Sequence, residues 1–380
     1  MAVLSRRAPA YLALLAFTAP LSTAAGQWTS IPSPTDAELR GLSVVSPNVV
    51  WASGQRGTVI RTIDGGRRWS RDTIPGAAAL DLRAIAATSS QVAHAISIGD
   101  SSRIYRTTDG GRTWSRRWSA TRKGTFLDAI RFWDARHGIA MSDPVDGRFL
   151  VLTTSDAGES WREVPRDGIP PAIAGEGGFA ASGSCLAVLG ERQAWFASGG
   201  GAVARVYRSA DRGRTWTVHD TPIRAAVASA GVFSIAFRDA RHGVIAGGDY
   251  QKPTLRGRNL ARTSDGGATW SLVDSTESPA GYRSAVAYVP GLSGALVSVG
   301  LSGTDVSRDD GRSWQPVDSV AYNSVAFASR DRGWAVGPKG RIARWAERWH
   351  GEKTVALPLT RPPRAQRSGL PLLFESVIAR

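Results

Sequence analysis

The 380-residue sequence holds a single cysteine, Cys185, so no internal disulfide can staple the chain. Stability has to come from burial and closure. Cys185 stands in the apolar run 184–189 and reads as a buried small residue rather than a nucleophile. Histidine is scarce as well. His94, His137, His219, His242 and His350 show no paired spacing for zinc, and His137 and His242 occupy equivalent turns. Glycine pairs fall in hairpin turns and make neither a phosphate loop nor a dinucleotide fingerprint. No metal and no cofactor is expected. Acidic residues are outnumbered, 32 against 47 basic ones, for a formal charge of +15, or +13 without Arg6 and Arg7. The basic residues are scattered through turns with no dense run, which argues against nucleic acid. They fit an acidic protein face, a polysaccharide or an anionic membrane surface.

The apolar stretch 11–21 is shorter than the roughly 20 residues of a membrane helix. With Arg6 and Arg7 before it and the small residues 22–26 after it, it reads as an export signal cleaved near residues 24–26. Ser5-Arg6-Arg7 only loosely fits a twin-arginine signal, and general secretion fits better. A periplasmic or extracellular location follows as an expectation. The absence of a cysteine after the signal argues against a lipid anchor. At the other end, 351–380 is rich in Pro and Arg and falls outside the pattern described next; a packed tail and a disordered tail both remain open.

What the sequence does have is glycine, 42 residues, tryptophan, 14 residues, and one motif six times. Ser/Thr-x-Asp-x-Gly-x-x-Trp recurs with its aspartates at Asp64, Asp109, Asp156, Asp211, Asp265 and Asp309. Successive separations of 45, 47, 55, 54 and 44 residues match one four-stranded propeller blade. Each aspartate can accept backbone N–H bonds in a tight turn, and the glycine two positions on tolerates positive φ. The tryptophan begins the next strand and can fill the gap between blades. One carboxylate per box is too few for calcium, so the aspartates read as structural. After the sixth box, 322–345 supplies three more strands, and 27–32 resembles the missing fourth. Pairing the two would close a ring and hide both edges. The expectation is an all-β, seven-bladed β-propeller over 27–350, closed by an N-terminal strand and monomeric.

The six boxes resemble the Asp-box (BNR) repeat of sialidases, xyloglucan-cleaving glucanases and sortilin-type receptors. From Trp28 to Trp349 the chain is most similar to the seven-bladed family of photosystem II assembly and stability factors and their bacterial relatives. The resemblance implies the fold, with the boxes at the rim, away from the binding face. It implies little about activity, and nothing in the residues ties the chain to photosynthesis.

Propeller ligands usually meet the loops that join fourth to first and second to third strands. Those loops carry Arg56, Asp81, Arg83, Asp100, Asp128, Asp143, Asp146, Glu176, Asp249, Tyr250, Tyr282, Arg283 and Asn323. Two readings of these groups stand: a recognition surface for another envelope or extracellular protein, or polar groups that merely solvate the face. The first makes the protein a non-catalytic binding and assembly scaffold. The alternative is a sialidase-like glycosidase, with Arg56, Arg83 and Arg283 as a carboxylate clamp and Tyr282, Glu176 and Asp128 as reacting groups. Seven blades and the lack of an Arg-Ile-Pro segment weigh against it.

Overall fold

Short runs of Val, Ile, Ala and Trp, cut by glycine turns, form seven four-stranded antiparallel sheets among the described residues. A computed structural model describes residues 27–99, 102–346 and 349; the expected signal 1–26, Asp100 and the tail 351–380 lie outside them. Blade 1 comprises Leu39–Val44, Val50–Gly54, Thr58–Thr62 and Ser70–Thr73. Blades 2 to 6 repeat this meander from Ala84, Leu127, Leu186, Ala230 and Ala285. Blade 7 has Ser324–Ser329, Arg332–Val336 and Ile342–Trp345 from the C-terminal end of the ring. Its outer strand is Trp28–Ile31, with Trp28 opposite Trp345 and Ile31 opposite Ile342. The ring closes as the sequence predicts.

The first strands touch one another around the axis, and each sheet stacks face to face on the next. The core is therefore divided into layers, one in each gap between blades. Leu39, Val50, Ile60, Trp334 and Val336 fill the gap between blades 7 and 1, and Trp51, Ile85, Ala95 and Tyr105 fill the next. This explains strands such as Val50–Gly54 that are buried at every position. A sheet covered on both faces has no reason to alternate apolar and polar residues.

The Asp boxes lock neighbouring blades together. In blade 2 the Thr107 hydroxyl donates to Asp109 (2.9 Å) and accepts from the Gly111 N–H (2.9 Å), while Asp109 accepts from the Thr113 N–H and hydroxyl. Gly111 thereby lies against the Trp51 ring of blade 1, at φ 91°, a backbone conformation that a residue with a side chain adopts only with strain. The glycine two positions after the aspartate in each of the other five boxes (Gly66, Gly158, Gly213, Gly267 and Gly311) meets the equivalent second-strand side chain of the blade before it: Trp334, His94, Ile139, Trp195 and Val244. His94 is thus a core residue. Burial holds its pKa down near 4, and its ring Nε2 lies 3.1 Å from the Ala157 carbonyl. His137 and His242 each pair with an aspartate three residues earlier, Asp134 and Asp239, in the turn that the two blades share.

Candidate functional site

Two faces bound the ring. The box face carries the Asp-box hairpins and the turns from first to second strands. The opposite face, here the loop face, carries the fourth-to-first and second-to-third connections and, among the described residues, the predicted binding-face residues. Its centre is covered by one segment of the long connection from blade 3 to blade 4. Gly177 exchanges backbone bonds with Gly199 of blade 4 (3.0 Å each way), and Phe179 stacks on Phe233 of blade 5 at 3.8 Å. The Ala181 carbonyl accepts from Arg40 of blade 1 (3.2 Å), and the Ser182 hydroxyl donates to the Ser284 carbonyl beside blade 6 (2.8 Å). Gly183 abuts Ala84 of blade 2, and Ser184 donates to Ser234 (2.8 Å). Residues 177–184 are a plug across the axis.

Several predicted residues hold this plug and its surroundings in place. The Glu176 carboxylate is buried in an ion pair with Arg205 and accepts from the Ser198 hydroxyl (2.5 Å). Arg283 is buried against Asp305, with Nε 2.6 Å from Oδ2. Tyr282 is buried, edge-on to Phe233 at 4.8 Å, and burial raises its phenol above the usual range. Asp249 is buried and accepts from the Gln251 N–H (3.0 Å). Asn323 donates to the Leu39 carbonyl (2.9 Å), tying blade 7 to blade 1. Asp81 pairs with Arg83 (2.8 Å) and Asp146 with Arg166 (3.0 Å), both partly in solvent, while Arg56 and Asp36 form an exposed pair. Tyr250 is 44 % exposed, with its ring edge-on to Phe233 at 6.1 Å.

Asp128 and Asp143 are brought together under the plug. Asp143 accepts from the Gly178 N–H (2.6 Å), and burial lifts its pKa to about 6. Asp128 sits at an irregularity between Leu127 and Ala129 in the first strand of blade 3, fully buried, and neither carboxylate oxygen has a hydrogen-bond partner. Burial first, and the charge of Asp143 second, raise its pKa well above the ordinary carboxylate value. A side chain on Gly178 would sit 2.5 Å from Asp128 Oδ2, so only glycine lets the plug descend here. The three arginines and three acidic or phenolic groups of a sialidase-like site do not converge: Glu176, Tyr282 and Arg283 face internal partners, and Arg56 stands at the rim. Among the described residues, no three His, Cys, Asp or Glu side chains gather to hold a metal.

Sequence reasoning missed Arg40, Arg205 and Asp305, which lie in strands rather than loops, and it missed the exposed apolar side chains of the loop face. Five of the seven large apolar side chains exposed among the described residues lie there: Val227, Tyr250, Leu255, Leu301 and Val320, in connections within or between blades 4 to 7. Lys252, Arg256 and Arg258 stand exposed in the same connections. An unbroken run of polar loops would not have shown this; the signal was the apolar residue inside each connection.

With this geometry in hand, residues 20–116 match the family model described as Photosynthesis system II assembly factor YCF48. The structure of YCF48 bound to D1 peptide superposes with a TM-score of 0.60 at 18 % identity, over 85 % of this chain and 96 % of that one. YCF48 from Cyanidioschyzon merolae gives 0.59 at 20 %, over 84 % and 98 %. The GH74 xyloglucanase from Xanthomonas campestris gives 0.60 at 17 %, over 84 % of this chain but only 53 % of that enzyme. Comparison with curated proteins returned no match. Fold, repeat and comparisons agree that this chain is a seven-bladed β-propeller of the BNR type that resembles the photosystem II assembly factor YCF48.

Proposed function

We propose that the protein is an exported, non-catalytic docking scaffold whose loop face seats an acidic segment of another protein. The observation that carries this reading is the set of exposed apolar side chains on one sector of that face, Val227, Tyr250, Leu255, Leu301 and Val320. Apolar anchors bordered by exposed cations are the composition of a protein interface: the first supply burial, the second steer an acidic partner. A propeller of similar fold bound to a peptide, YCF48 with D1 peptide, supports the mode of action without naming the partner here. Export rests on the sequence of the first 26 residues.

The test is capture of partners from envelope extract by the purified protein and by the variant Val227→Ser/Tyr250→Ser/Leu255→Ser. The variant should keep the wild-type melt and lose the captured protein, and wild-type capture should weaken between low and high salt because exposed charges are screened. Arg67→Glu/Arg112→Glu, on the box face, should capture normally. Equal capture by the loop-face variant would refute the docking surface.

The likeness to a xyloglucanase and the raised pKa of Asp143, the property of a general acid, favour glycoside hydrolysis as a second reading. Hydrolysis of fluorogenic glycosides that disappears in Asp143→Asn would replace the scaffold reading.

A further inference from the structure

Below the plug, on the box face, the axis of the ring stays open. Two adjoining cavities of about 760 and 480 Å³ occupy it, the larger against blades 4 to 7 and the smaller against blades 1 to 3, and Arg131 and Ala326 line both. Volumes of this order are those of small-molecule sites. The lining of the larger cavity is mainly apolar, with Val188, Ala236, Ala287, Ala326 and Phe327 half-buried along it.

Arg131 is out of keeping with those walls. It rises from the first strand of blade 3, and its guanidinium reaches up to the plug, with Nη1 3.9 Å from where a side chain on Gly183 would begin. Nη1 donates to the neighbouring Ile130 carbonyl (3.1 Å), and among the described residues no carboxylate pairs with the group. Burial lowers its pKa, so the charged form is held without the counter-ion that would offset desolvation. The acids at the cavity mouth are already engaged: Asp134 with His137, and Asp239 with His242 and Arg238. Every other arginine cited in the core, Arg205 and Arg283 above all, has its carboxylate.

We infer that this blind pocket binds a small amphipathic carboxylate, with its head on the Arg131 guanidinium under the plug and its apolar tail along the channel toward the box face. A carboxylate fits because the guanidinium fork offers it paired donors. An unbranched tail fits because the lining is apolar and the channel runs lengthwise. The site is independent of the loop-face docking surface, which lies on the other side of the plug.

Calorimetric titration of the purified full chain with decanoate, below its micellar concentration, tests the assignment. Saturable one-to-one binding is expected, with decanol, decyltrimethylammonium and acetate each weaker by roughly tenfold or more. Arg131→Gln should lose about the same factor for decanoate while binding decanol as the wild type does. Ala326→Phe, which fills the space that the two cavities share, should abolish binding and leave the melting temperature in place. No saturable binding, several molecules bound per chain, equal affinity for decanoate and decanol, or full affinity in Arg131→Gln would each overturn the site. Should Arg131→Gln fail to fold, the wild-type comparison of decanoate with decanol decides the question.

Discussion

Trp28→Ala tests whether the ring is held shut by its first described strand. Trp28 is 8 % exposed; it meets Trp345 edge-on at 4.8 Å and Tyr322 at 5.5 Å, and its indole N–H donates to Thr304 Oγ1 of blade 6 at 3.0 Å. One side chain near the start of the chain thus joins blades 6 and 7. Loss of its burial costs about 3 kcal/mol. Loss of the buried hydrogen bond adds about 1 kcal/mol. The sum lies within the roughly 3–5 kcal/mol typical of aromatic deletions in cores. Urea unfolding followed by tryptophan fluorescence should show a loss of about 4 kcal/mol, and hydrogen exchange should quicken at Ile342–Trp345, whose outer partner the strand is. A terminal strand that merely lay against the ring would fray at little cost, so a loss below about 1 kcal/mol would refute closure by this strand. Deletion of 27–32 should go further, baring the Ile342–Trp345 edge and promoting aggregation, read by light scattering.

Three further outcomes follow from the geometry. Asp143 has a folded pKa of about 6 against an ordinary 3.8, so its contribution to stability is complete below about pH 4 and is lost as pH rises through 6. Asp143→Asn keeps an acceptor for the Gly178 N–H and should therefore be more stable than wild type at pH 8, by up to about 3 kcal/mol, with the difference gone at pH 4 in denaturant melts. Asp309→Ala strands the Arg312 and Ser313 N–H groups and should cost about 1–3 kcal/mol without touching partner capture; the Asp-box pKa values point the opposite way, with Asp109 drawn down to about 2 by the Thr113 hydroxyl and N–H, so their contribution is present above about pH 4 and fails as pH drops through 2. Glu176→Gln leaves the Arg205 charge buried without its counter-charge and should destabilise by roughly 3–5 kcal/mol in urea melts, an outcome that a solvated loop-face carboxylate would not produce.

The ring was legible because its information is local and repeated. Each box carries its own hydroxyl, carboxylate, glycine and tryptophan within eight residues, so the turn can be read without knowing what lies beside it. The incomplete seventh repeat and the unmatched strand at 27–32 called for each other by arithmetic, and Trp28–Ile31 does pair with Ile342–Trp345. What the boxes touch was not legible. That Gly111 rests on Trp51, and that His94 is a core residue in the place of a tryptophan, follows only once adjacent blades are stacked.

The loop face shows the limit most clearly. Loop position marked Glu176, Tyr282 and Arg283 as exposed polar groups, but exposure is decided by whatever arrives from elsewhere in the chain. Arg205 comes from the third strand of blade 4 to neutralise Glu176, and Asp305 from that of blade 6 to neutralise Arg283. The crossing of 177–184 over the axis, which buries Asp128 and closes one end of the channel above Arg131, depends on anchors in other blades at once. Sequence alone determined the repeat, the blade number and the closure, because each is a short-range pattern. Only the tertiary structure decided which charges are paired and which apolar groups stay bare, because both are set by contacts between residues that the sequence keeps far apart.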